Sequence, residues 1–145
     1  MRNERGITLV ESLAALTILS IIGVIIWNVF FQGYNFSKNA ASKNMMQQEA
    51  NIIIAHLNRI HQTAVSYKIS IPENGTIEIT VNERNHSTRK VLFKNSQLLF
   101  QINKIGKIDP KNDDIDLIIT IKDKNNPDNF VEVETLLYRL KGGGS

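Results

Sequence analysis

Apolar and polar positions divide the chain into stretches with different periods. Residues 1–6, Met-Arg-Asn-Glu-Arg-Gly, are polar and charged, and Ile7-Thr-Leu-Val-Glu11 leads from them into an apolar run over 12–31. The polar members of that run are Ser12, Thr17, Ser20 and Asn28. About 20 apolar residues suffice to cross a bilayer as a helix. Residues 32–44 are rich in Asn, Ser, Lys and Ala and read as a solvated helical spacer. A stripe then begins at Met46 and continues through Ala50, Ile53, Leu57, Ile60, Ala64 and Tyr67. Its alternating steps of four and three mark one face of a helix that should bury against a sheet. No Pro interrupts residues 8–67, so one continuous helix is allowed, with Gly23 and Gly33 as its soft points.

Past Tyr67 the period shortens to two. Residues 68–71, 76–83, 89–93, 97–102, 115–122 and 130–138 read as strands, and Asn74-Gly75 as a hairpin turn. Ile77, Ile79 and Val81 face one way. Residues 104–114 and 122–129 are loops by their Gly, Pro, Asn and Asp content. The economical arrangement is α+β, a long N-terminal helix packed on a meandering antiparallel sheet of about five or six strands.

Glu11 needs a physical reason. An acidic side chain at mid-membrane costs roughly 2.5–3.5 kcal/mol, less toward an end, so a counter-charge is implied. A cut after Gly6 would free the α-amine of Ile7, four residues and one helical turn before Glu11. Proteolysis would then create the cation that the carboxylate lacks. The small side chains of Ala14, Ala15, Ser20 and Gly23 permit close approach of a neighbouring helix.

The run Arg5-Gly6-Ile7-Thr8-Leu9-Val10-Glu11 ahead of a long apolar helix resembles the processing site of type IV prepilins and type II secretion pseudopilins. The resemblance implies that a membrane aspartyl peptidase cuts between Gly6 and Ile7 and that Ile7 becomes the N-methylated first residue. It also implies that Glu11 is the carboxylate guiding subunits into a filament. Ile7 stands where the family most often has Phe. The implied partners are the prepilin peptidase, sibling pilins or pseudopilins, an inner-membrane platform protein, an assembly ATPase and membrane lipid. The long chain and its spacer resemble a minor pseudopilin more than an abundant major subunit. The family serves DNA uptake, secretion, adhesion and motility, and the sequence does not choose among them.

The implied layout is a cytoplasmic leader at 1–6, a transmembrane and assembly segment at 7–31 and an extracytoplasmic helix at 32–67. A β head at 68–141 and a flexible tail at 142–145 complete it. Arg2 and Arg5 flank the apolar run and hold that end in the cytoplasm, which places the head outside. An ordinary signal anchor shares this orientation but leaves Glu11 unexplained. A cleaved secretory signal would be shorter and would end in a small-x-small pattern, which Trp27-Asn-Val-Phe-Phe31 lacks.

Other chemistry is thinly represented. With no Cys, the head must hold without disulfides. The formal charge of +3 reflects a slight cation excess, not a concentrated basic stripe. Arg84, Arg89, Lys90 and Lys94 form a local basic grouping. It underlies the alternative of a tip subunit that binds DNA or a surface, although cations on an exposed strand edge also block unwanted pairing. Asp109, Asp113, Asp114 and Asp116 lie close in sequence but do not fit the calcium-loop spacing, so no metal site is assigned. His56, His61 and His86 do not form a ligand set, and Glu132 and Glu134 alternate with valines as the solvent face of a strand. No nucleophile motif or phosphate loop is present, and neither an enzyme nor a cofactor is expected.

Overall fold

The computed structural model describes residues 8–73 and 75–140. The expectations for Gly6 and Ile7, for Asn74 and for the tail at 142–145 lie outside the described residues. The described chain forms helix α1 (Leu9–Thr63) followed by seven strands. Two compact units make up the chain, Met1–Ala40 and Ala41–Ser145.

Helix α1 starts where local chemistry tells it to. Thr8 precedes the first helical residue, and its hydroxyl accepts a hydrogen bond from the backbone N–H of Glu11 at 3.3 Å. This satisfies one of the N–H groups that a helix start leaves without a partner, and Glu11 in the first turn complements the positive end of the helix dipole. The helix runs through both Gly23 and Gly33 without a break.

It ends at Thr63, earlier than the stripe to Tyr67 implied. Ala64 still donates to the Ile60 carbonyl at 2.8 Å, but Val65 donates instead to the Asn82 carbonyl at 3.0 Å. Val65-Ser66-Tyr67 gains sheet pairing there, and β-branched and aromatic residues suit a strand better than a helix. All seven stripe residues are nonetheless 0–2 % exposed, so the buried face continues across the change from helix to strand. The end is tied down by the C-terminal segment: Arg139 donates to the Ala64 carbonyl at 3.1 Å, and Gln62 donates to the Tyr138 carbonyl at 2.6 Å.

Strands β1 (Ser66–Ser70), β2 (Ile77–Asn82), β3 (Thr88–Phe93) and β5 (Gly106–Ile108) make one sheet in the order β3-β2-β1-β5. A second sheet has the order β4-β6-β7, from β4 (Leu98–Ile102), β6 (Ile115–Asp123) and β7 (Phe130–Leu137). Every pairing is antiparallel. The α+β class and the pilin-like layout of long helix on antiparallel strands are as expected, but the strands number seven and form two sheets instead of one meander. The meander stops at β3, an edge strand whose Thr88, Arg89, Lys90 and Leu92 are exposed while Val91 and Phe93 pack half-buried against the core. In β4, by contrast, Leu98, Phe100 and Ile102 are buried, which draws it to the core beneath the other sheet. The segment expected to be a loop over 104–114 contributes β5, which pairs with Tyr67–Ile69. Between β1 and β2 the connection spans 71–76, longer than a two-residue hairpin turn. Gly75 there has φ of +78°, and a Cβ would meet the Leu99 side chain at 2.6 Å, so glycine is required.

Helix residues Met46, Ala50, Ile53, Leu57 and Ile60 pack with Ile69, Ile77, Ile79 and Val81 of one sheet and Phe100, Leu117, Ile119 and Ile121 of the other. Full burial of each such Leu, Ile or Phe side chain contributes about 1.5–3 kcal/mol, so this single cluster holds the head together in place of disulfides.

Candidate assembly site

The candidate assembly site is the first half of α1. Its large apolar side chains from Leu9 to Phe36 are 44–77 % exposed in the isolated chain. Among the described residues, α1 is the one helix long and apolar enough to cross a membrane. The hydroxyls in this stretch are turned inward: Thr17 donates to the Leu13 carbonyl and Ser20 to the Leu16 carbonyl, each at 2.8 Å. Such bonds to the preceding turn leave the polar atoms satisfied without water, as lipid requires. The Phe31 ring contacts both Trp27, with centroids 4.9 Å apart, and Phe30, at 6.3 Å.

Glu11 lies in the first helical turn, and helix geometry places Ala14 and Ala15 beside it at i+3 and i+4. Two methyl-sized neighbours clear space around the carboxylate for another backbone. Ser20 and Gly23, three apart, share a different face, because about 100° per residue turns them well away from Glu11. The four small residues therefore form two patches instead of one stripe. With its hydroxyl bonded back to Leu16, Ser20 adds little polarity to its patch. Thr8 was not singled out from the sequence, although Thr8-Leu-Val-Glu11 is the T-x-x-E pattern of a capped helix start.

Most of the other candidate residues have partners within the head. Of the basic grouping, Arg89 pairs with Glu83 at 3.2 Å, Lys90 with Glu78 at 3.4 Å and Lys94 with Glu73 at 3.4 Å. In the acidic loop, Asp109 accepts from the Lys111 N–H and the Asn112 amide, and Asp113 accepts from the Asp109 N–H. Asp116 lies apart in β6. Glu132 and Glu134 are exposed on β7.

His56 stacks edge-on against Phe93 in the open, whereas His61 is fully buried and its Nδ1 lies 2.9 Å from the Tyr67 hydroxyl. Burial lowers the His61 imidazole below its ordinary value; Arg139 pushes the same way, and Asp114 and Asp113 oppose. Burial likewise raises the Tyr67 phenol, with Asp113 adding to it. The pair is therefore a neutral, hydrogen-bonded plug where the helix hands over to β1.

Comparison with known proteins bears on the apolar half. Residues 1–27 match the model of the prokaryotic N-terminal methylation motif. The chain carries the N-terminal signature of the type IV pilins and pseudopilins. No curated protein and no solved structure matches the chain. The pilin signature implies processing by a prepilin peptidase and assembly with other pilins, and it marks a structural family, not an enzymatic one. With the single apolar helix it fits a single-pass membrane anchor.

Proposed function

We propose that this chain is a filament subunit, stored in the cytoplasmic membrane through residues 7–31 with its β head outside the cytoplasm. Residues 1–6 are the leader, removed between Gly6 and Ile7, and Ile7 becomes the methylated first residue. The reading is carried by one conjunction: the methylation-motif match at 1–27 coincides with a half-helix that has no cover of its own. In lipid this rod is satisfied, since its backbone is helical and Thr17 and Ser20 bond internally. In a filament, neighbouring rods replace lipid contacts with one another, the patches at Ala14/Ala15 and Ser20/Gly23 allowing close approach.

Glu11 then fixes axial register. In a low-dielectric interior a bare carboxylate is costly and a paired one is held firmly, so the amine of Ile7 on a neighbouring subunit is its counter-charge. Pairing requires cleavage first, which makes assembly conditional on processing. An inner-membrane platform protein and an assembly ATPase would supply the work of extraction from lipid. The test is Glu11→Ala in cells that make the filament. The variant is expected to be cleaved and membrane-inserted as usual yet depleted from sheared filaments; incorporation at the normal level would contradict the register role.

A further inference from the structure

In the head, a cleft of about 510 Å³ opens between the last turns of α1 and the β2–β3 hairpin. Three exposed arginines from separate parts of the chain line it: Arg59 from α1, Arg84 from the hairpin turn and Arg89 from β3. One carboxylate, Glu83, lines the cleft with them, and it pairs with Arg89 at 3.2 Å. Among the described residues, Arg59 and Arg84 make no side-chain hydrogen bond or ion pair.

The remaining polar wall is also committed. The Gln62 amide donates to the Tyr138 carbonyl and accepts from the Leu140 N–H. Thr63 donates to the Arg59 carbonyl, and the Asn85 carbonyl oxygen accepts from the Ser87 N–H and hydroxyl. Among the described residues that line the cleft, the donors without a partner are the guanidinium groups of Arg59 and Arg84, the outer nitrogens of Arg89 and the Asn85 amide N–H groups. Cations that line one cleft favour an anion there, and donors without partners suit a ligand made of acceptors.

We propose that this cleft is a binding site for a phosphate group, as free phosphate or a monoester. A monoester carries about −1.5 to −2 charge near pH 7 and three terminal oxygens. That charge matches the two unpaired arginines, and the oxygens can be shared among three planar forks. A carboxylate has one charge and two oxygens, and would leave one guanidinium unmatched. The site lies wholly within the head and is independent of the filament reading.

The test is calorimetric titration of the full-length protein in detergent micelles with inorganic phosphate, with acetate, and with a short single-stranded oligonucleotide. Saturable binding of phosphate in preference to acetate is expected. Arg59→Gln and Arg84→Gln should each weaken it about tenfold, the loss of one charge-assisted hydrogen-bonding group. Because neither arginine supports another side chain, the thermal midpoint should not move in either variant, and Lys107→Gln on exposed β5 should leave phosphate binding unchanged. No saturable heat with phosphate, acetate binding as tightly, binding indifferent to both arginine variants, or capture of the oligonucleotide but not phosphate would each overturn the assignment.

Discussion

One helix, α1, obtains its burial in two different ways along its length. From Met46 to Ile60 its apolar stripe is 0–2 % exposed against the two sheets, whereas from Leu9 to Phe36 the apolar side chains cover the whole circumference and are 44–77 % exposed. An amphipathic helix carries its cover in the same chain; one that is apolar all round needs cover from elsewhere. The stripe thus belongs to the stability of the head, and on the proposed reading the uniform half belongs to lipid or to sibling subunits. The difference also separates two kinds of polar residue. In the second half a polar group such as His61 is sealed in by the fold, and in the first half Glu11, on the proposed reading, is paired only after assembly.

The largest effect should come from cutting into the stripe. Leu57→Ala is expected to destabilise the head by about 2–5 kcal/mol through lost burial and the cavity left behind. The matching change in the uniform half, Ile18→Ala, should leave the head's denaturation midpoint in detergent where it was. Equal shifts from both would dissolve the contrast.

A smaller effect is expected from His61. Its imidazole is lowered from 6.5 in the folded head, so the unfolded chain binds the proton more readily. Stability is therefore fully present above 6.5 and is lost as pH falls below 6.5 through the lowered folded value. Thermal midpoints recorded from neutral to mildly acidic pH should decline, and His61→Phe should flatten that decline. The smallest effect should be at the other end of the helix. Thr8→Ala removes an N-cap worth about 1 kcal/mol, which should speed amide hydrogen exchange in the first turn of α1 and leave the head untouched.

Features fixed by neighbours in sequence were legible beforehand. The membrane run, the processing-site resemblance and the stripe from Met46 to Tyr67 depend on spacings of a few residues, and the strands of the head announced themselves by alternation. Features fixed by long-range pairing were not. Gly106–Ile108 is too short to show a period, and only its pairing to Tyr67–Ile69 makes it a strand. The division into two sheets depends on β4 pairing with β6 in place of β3, a partner 13 or more residues away in sequence that no local spacing announces.

Two site-level features could have been anticipated. Thr8 and Glu11 form a capping pattern, and His61 follows Leu57 by four and so borders the stripe. Similarly, Lys90 faces Thr80 across the hairpin, which brings Glu78 diagonally within reach. The arginine cleft could not have been anticipated, because Arg59 joins Arg84 and Arg89 only once helix and hairpin are packed.

On the proposed reading, Glu11 is tolerated in an apolar helix because processing frees the Ile7 amine that a neighbouring subunit presents to it. Intact mass of the mature protein, extracted from membranes of cells with an active prepilin peptidase, tests this most directly. A polypeptide that begins at Ile7 and carries one added methyl group is the predicted result. A polypeptide that retains residues 1–6 would contradict the claim.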